Sequence, residues 1–247
     1  MTIQNETTTL LGCKIDLVNM EGALTAIEDA ISQRQPSQVV TLNAEMIYVA
    51  QKDQALREVY SRARLVTADG IGVVWALRHI GHSNVERVTG IDLTTELLNK
   101  AAGNGWKLFL FGAKPGVVDS LAAILSQRYP GLIIAGTQHG YFKEADSPEI
   151  VAQIKACNAD ILLVALGAPK QDFWISEYLG DMMVPVCIGV GGTFDVLSGR
   201  AERAPAVWQR LGMEWLYRLL KEPSRWRRQL ALPKFAWMVI LHGKKSS

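Results

Sequence analysis

A chain of 247 residues, 49% hydrophobic and 20% charged, with 26 Lys and Arg against 24 Asp and Glu, has a globular composition. That excludes a disordered or collagen-like chain, and the length suits one large α/β domain or one domain with an appendage. Cys13, Cys157 and Cys187 are odd in number, far apart and without a C-x-x-C, which argues against a disulfide framework or zinc site and for a reducing compartment.

In chain order, the opening MTIQNETTTL lacks the basic region and apolar core of a signal peptide. No window of about 18 apolar residues is present to cross a bilayer as a helix. The segment TTLLGCKIDLV fits a β-hairpin capping one sheet edge. Residues 19–33 predict a helix, because Ala23, Ile27 and Ile31 recur every four positions beside Leu24. Short apolar or β-branched runs follow at Val39-Val40-Thr41, Leu65-Val66-Thr67, Leu108 to Phe111, Leu132-Ile133-Ile134, Ile161 to Val164 and Val186-Cys187-Ile188. Such runs suit strands buried on both faces of a parallel sheet. Val117, Leu121, Ile124 and Leu125 mark a helix over 116–129. The βαβα order predicts a doubly wound, mostly parallel, Rossmann-like α/β body over residues 1–197. Residues 198–247 are expected to form a basic helical appendage. The body carries 15 Lys and Arg against 21 Asp and Glu, a net of −6; the appendage carries 11 against 3, a net of +8, and four of the seven tryptophans.

Ligands of such folds bind beyond the carboxyl ends of the strands. The loops expected there are TLNAE (41–45), TADGIG (67–72), FGAKPG (111–116), LGAPKQ (166–171) and GVGGTFD (189–195). Glycine lets backbone amides approach an anion, and a helix N-terminus favours phosphate. Gly112, Gly167, Gly191 and Gly192 each have a plainer role in a tight turn. Together they favour a nucleotide-diphosphate crevice, with Lys170 and Asp195 beside it. Lys114 stands where G-x-G-x-x-G has its second glycine, and no G-x-x-x-x-G-K-[ST] occurs, so a dehydrogenase or P-loop enzyme gains little support.

Asp69, between a strand run and a helix, suits an N-cap as well as a general base. Asn43 and Glu45 suit helix caps. Thr41 fits either a sugar hydrogen bond or simple packing. Gln171 opens a helix, where glutamine is usually solvated. Arg87, after Glu86, fits a surface ion pair or the neutralisation of a diphosphate leaving group. No D-x-D pair occurs, and His79 and His82 have no adjoining third ligand, so no metal and no cofactor are expected.

In the tail, EWLYRLLKEPSRWRRQL places Trp215, Leu216, Leu219 and Leu220 on one helical face with Arg218 beside it. Pro223 interrupts the helix, and Arg225, Trp226, Arg227 and Arg228 follow. Cations beside Trp and Leu suit an interfacial helix on an anionic membrane surface. An ordinary docking helix with a solvated charged face is the plainer alternative, and nucleic acid is not an expected partner.

The loops TLNAE, TADG, ERVTGID, GYF, LGAPKQ and GVGGTFDV, with RAP and LGMEWLYRLLKEPSR, resemble in order the WecG/TagA/CpsF glycosyltransferases, from about residue 10 to 230. The resemblance implies a metal-independent, inverting transferase that moves N-acetylmannosamine, or its uronic acid, from a UDP-sugar donor. The implied acceptor is undecaprenyl-diphosphate-linked GlcNAc at the cytoplasmic membrane face, and the products enter teichoic acid linkage units or surface polysaccharides. It makes Asp69 the general base, places Thr41, Asn43 and Gln171 in the pocket, and puts Arg87 near the diphosphate. It gives Arg218, Arg225 and Arg228 to a membrane-docking appendage that closes over the site. Family members can self-associate, so a homo-oligomer is allowed. Residues 231–247 match no motif, and Leu42 stands where some members have Pro. A nicotinamide-dependent oxidoreductase and a non-catalytic, membrane-associated binding protein are the alternatives from other classes.

Overall fold

The structure, a computed structural model, describes residues 6–223 and 226–242. Its N-terminal hairpin pairs β1 (Thr7–Leu10) with β2 (Cys13–Asp16) antiparallel. Next come α1 (Met20–Gln33), β3 (Ser37–Leu42), α2 (Ala44–Ala50), α3 (Gln54–Arg62), β4 (Leu65–Ala68), α4 (Ile71–His79) and α5 (Gly90–Asn104). They are followed by β5 (Lys107–Gly112), α6 (Val117–Arg128), β6 (Ile133–Gln138), α7 (Ser147–Ala156), β7 (Ile161–Ala165), α8 (Lys170–Met182), β8 (Val186–Gly189) and α9 (Thr193–Leu197). The tail adds α10 (Ala206–Arg210), α11 (Glu214–Lys221), α12 (Trp226–Gln229) and α13 (Ala231–His242).

The main sheet has six strands in the order β4-β3-β8-β7-β5-β6, and every pairing is parallel. Alternate side chains of each strand enter opposite layers. Leu108 and Leu110 pack with α1, α5 and α6, whereas Phe109 and Phe111 pack with α7 and α8. Both faces of the inner strands are therefore covered, which is why β7 and β8 are continuous apolar runs, whereas edge strand β6 is only half-buried and ends in Thr137 and Gln138. Helix starts are capped by short polar side chains: Asn19 opens α1, Asn43 opens α2, Asp53 opens α3 and Thr89 opens α5. The hairpin lies against edge strand β4, where the Asp16 carboxylate accepts the Val66 N–H at 2.7 Å.

After β3 the chain turns into α2, on the layer shared with α3 and α4, whereas after its neighbour β8 it turns into α9, on the opposite layer. The two departures open a crevice at the carboxyl ends of the strands, the place where doubly wound sheets bind ligands. All five loops singled out above lie along this edge.

The tail is tied to the body at its far end. Ala231, Phe235 and Val239 of α13 are buried in the same cluster as Ile47 and Ala50 of α2 and Val73 and Leu77 of α4. Helix α13 thus closes part of the core. Among the described residues no helix is long and apolar enough to cross a membrane.

Candidate active site

Asp69 follows β4, and its backbone N–H donates to the carbonyl of Leu42 on β3 at 2.9 Å. Its Oδ2 accepts the N–H of Gly90, the first residue of α5, at 3.1 Å. A Cβ at Gly90 would stand 2.9 Å from Thr41 Oγ1 and 3.7 Å from Asp69 Oδ2. Only glycine lets α5 approach this closely, and the approach brings Thr41 and Asp69 together under one helix terminus. Two further bonds clamp the segment before α5 onto β4: Val88 N–H to the Ala68 carbonyl (3.0 Å) and Thr67 Oγ1 to the Val88 carbonyl (3.1 Å). Asp69 is half-buried at the crevice. Gly70 has a φ of 92° and no Cβ, so the chain turns sharply from Asp69 into α4.

Asn43, one strand over, accepts the Met46 N–H at 3.0 Å and caps α2. Its side chain therefore performs the plainer role while standing at the crevice. Arg87 donates to Glu214 Oε2 at 2.8 Å, and both side chains are largely buried. Its partner comes from the tail and not from neighbouring Glu86.

Gln171 departs from the solvated position usual for its place in a helix. It is buried, and its Oε1 accepts two N–H groups at 3.1 Å, from Gly167 and from Gly191. It braces the loop after β7 to the loop after β8. Two amides that an approaching anion would use are already donated to this side chain. A Cβ at Gly189 would lie 2.5 Å from Gln171 Nε2, so the brace requires glycine there. Gly112 also has a structural reason: a Cβ would fall 2.4 Å from the Ala165 carbonyl oxygen of adjacent β7. Nothing lies within 4 Å of a Cβ built at Gly167 or Gly192, where the backbone borders open space. Lys170 sits 4.8 Å from the ring centre of Phe142, and Asp195 is exposed on the five-residue α9.

Asp92, Arg203 and Glu214 were given no role by the sequence. Arg203 grips Asp92 with both terminal nitrogens, Nη1 to Oδ1 at 2.7 Å and Nη2 to Oδ2 at 2.9 Å, the fork geometry favoured by guanidinium and carboxylate. Its Nε lies 3.6 Å from Glu214 Oε1. Burial pushes the Asp92 carboxyl up, but the bonds from Arg203 and from Thr89 (2.6 Å) outweigh it and hold the group below the usual carboxylate range. The sequence signals were the ERVTGID, RAP and LGMEW stretches in which the three residues stand and the capping pattern Thr89-x-x-Asp92; their pairing was hidden, since Asp92 and Arg203 lie more than 100 residues apart.

Arg228 pairs with Glu45 of α2 at 2.7 Å, tying α12 to the mouth of the crevice. Nothing is described of the Arg218 side chain, and Arg225 lies outside the described residues. Among the described residues no three His, Cys, Asp or Glu side chains gather to hold a metal ion. His82 instead bonds Thr8 (2.9 Å), and His79 stacks on Trp75.

A parallel sheet with a carboxylate, a cation and glycine turns on its carboxyl edge suits the transfer of a group from an activated phosphate ester. Two relatives are 38% identical to this chain, and both are named N-acetylglucosaminyldiphosphoundecaprenol N-acetyl-beta-D-mannosaminyltransferase. The Bacillus spizizenii protein matches over 217 residues, 88% of this chain and 84% of its own length. The Bacillus subtilis protein matches over 214 residues, 87% and 83%. The model of the WecG/TagA/CpsF glycosyl transferase family matches residues 8–247, and the chain belongs to that family.

Proposed function

We propose that this chain transfers N-acetylmannosamine from UDP-N-acetylmannosamine to undecaprenyl-diphosphate-linked GlcNAc, with inversion and without a metal ion, and that Asp69 is its general base. The observation that carries the reading is the setting of Asp69: a carboxylate at the end of β4, oriented by the Gly90 N–H, beside Thr41 and across the crevice from the β8 turn. Two strand spacings, about 10 Å, separate β4 from β8, enough for a hexose between base and leaving group. The names of the two Bacillus relatives support both the sugar and the acceptor.

In this reaction the Asp69 carboxylate takes the proton of the acceptor hydroxyl. The acceptor oxygen forms its bond to the anomeric carbon from the face opposite the diphosphate. The anomeric C–O bond breaks, and UDP leaves with the electron pair. Arg87, with Lys170 at the outer rim, offsets the charge growing on the diphosphate. Thr41 and Asn43 line the acceptor side, and Gln171 fixes the two turns that face it.

The basic, Trp-rich tail is the second part of the proposal. Residues 198–247 place the enzyme peripherally on the anionic inner face of the cell membrane, where Arg218 and Arg225 meet lipid phosphates, Arg228 exchanges Glu45 for one, and the acceptor is held.

Release of UDP from UDP-N-acetylmannosamine with a short-chain GlcNAc-diphosphate-lipid, in EDTA, tests donor, acceptor and metal independence at once. Base catalysis contributes about 100- to 10,000-fold, so Asp69→Asn is expected to lower turnover by that factor with UDP binding nearly intact. A folded, fully active Asp69→Asn protein would remove Asp69 from the mechanism. Turnover of the uronic acid donor alone would reassign the sugar.

A further inference from the structure

The tail crosses the active-site rim through an alternating row of charges: Asp92, Arg203, Glu214 and Arg87. Arg203 is anchored on Asp92 by two bonds of 2.7 and 2.9 Å. Asp92 is held in turn by Thr89, which caps the helix whose first N–H bonds Asp69. Glu214, the first residue of α11, sits between the two guanidinium groups, 2.8 Å from Arg87 Nη1 and 3.6 Å from Arg203 Nε.

We propose that Glu214 is a positioning residue: it holds the Arg87 guanidinium toward the diphosphate, with Arg203 as the strut that holds Glu214. The inference rests on the reading that Arg87 meets the donor diphosphate. A free arginine side chain gives up about 2 kcal/mol of rotamer entropy when it is ordered. Glu214 orders it before substrate arrives, by a bond to one terminal nitrogen of a five-donor fork, so further N–H groups remain to meet a phosphate oxygen. Glu214 also offsets the repulsion between two arginines that would otherwise drive Arg87 away from Arg203. Because Glu214 and Arg203 belong to the tail, residues 202–214 form part of the catalytic apparatus, whatever the tail does at a membrane. A soluble acceptor without a long lipid still needs them.

The test is a double-mutant cycle on the full chain, read by UDP affinity and by UDP release. A hydrogen bond to a charged group contributes about 1.5–3 kcal/mol. Glu214→Gln is therefore expected to cost about 10- to 100-fold in turnover on a short-chain acceptor, with a smaller loss in UDP affinity. In the Arg87→Ala background the same change is expected to add less than about 2-fold, since residues that act through one another are not additive. Glu214→Asp keeps the carboxylate and is expected to lose less than Glu214→Gln, which separates lost charge from lost folding. Additive losses in the cycle, or equal losses in the Gln and Asp variants, would overturn the positioning role. Failure of the wild-type chain to bind UDP at all would instead overturn the functional reading beneath it.

Discussion

Asp172 is 1% exposed, and burial pushes its carboxyl up to about 7. Neither its Oδ2 nor the hydroxyl of buried Tyr60 has a hydrogen-bond partner among the described residues, and burial together with the nearby Asp172 carboxylate pushes the Tyr60 hydroxyl up. The unfolded chain releases this proton near 3.8, the folded chain only near 7. Folding therefore takes up a proton between those values. The contribution to stability is complete below about pH 4 and is lost as pH rises to about 7. Asp172→Asn, close in shape to the protonated acid, is expected to remove that slope. Thermal midpoints of the two proteins at pH 5, 6, 7 and 8 should diverge, with the wild type falling relative to the variant; parallel curves would show that Asp172 does not titrate there. The buried thiols behave in the same direction, with Cys13 pushed up to about 11 by burial, so neither it nor Cys187 is a reactive nucleophile.

Among the elements, α13 shows most plainly what a single helix can contribute. Ala231, Phe235 and Val239 repeat every four residues and present one apolar stripe, buried against α2. Truncating a buried Phe to Ala typically costs about 3–5 kcal/mol. Phe235→Ala is therefore expected to lower the urea midpoint of the whole chain in one transition, and an unchanged midpoint would mean that the helix does not dock in solution. The strands were legible in the sequence because burial on both faces leaves no room for polar residues, as in Ile161 to Val164. The carboxyl-edge loops were legible because the fold fixes where strands end. The docking of α13 was not, since an apolar stripe says that a helix is covered and not by what. The network of Asp92, Arg203, Glu214 and Arg87 was equally hidden, because charges so far apart in sequence meet only once the sheet has formed. Gln171 was misleading for the same reason: its burial depends on Gly189 of the next strand lacking a side chain.

On the scale of the whole molecule, the tail divides its apolar residues between two faces. Phe235 and Val239 face the body, while Trp237 is 63% exposed, and Leu220, Trp226, Ile240 and Leu241 also face outward. Lys221 follows Leu220, and Lys234 lies between Trp226 and Trp237. An outward apolar surface with cations is the pattern of an interfacial helix on anionic lipid. Replacing Trp237 and Leu241 together by Ser is expected to reduce co-sedimentation with phosphatidylglycerol vesicles by about 10-fold or more, given ~0.8 kcal/mol per buried CH2. Raising the salt from 0.1 to 1 M shortens the screening length from about 10 to about 3 Å and should weaken what remains. Equal binding of the two proteins would show that these side chains stay in water.

The seating of α13 on α2 also sets a timetable. The ribosome makes α2 long before α13, and at about 5–20 residues per second the interval between Ile47 and Phe235 is about 10–40 s. Early in that time the hairpin and the β3–β4 pair can form, but β8, the other neighbour of β3, is made only at residues 186–189, and the cover that α13 gives to Ile47 and Ala50 comes later still. Part of that face of the growing polypeptide therefore stays open to intermolecular contact until α13 has left the tunnel.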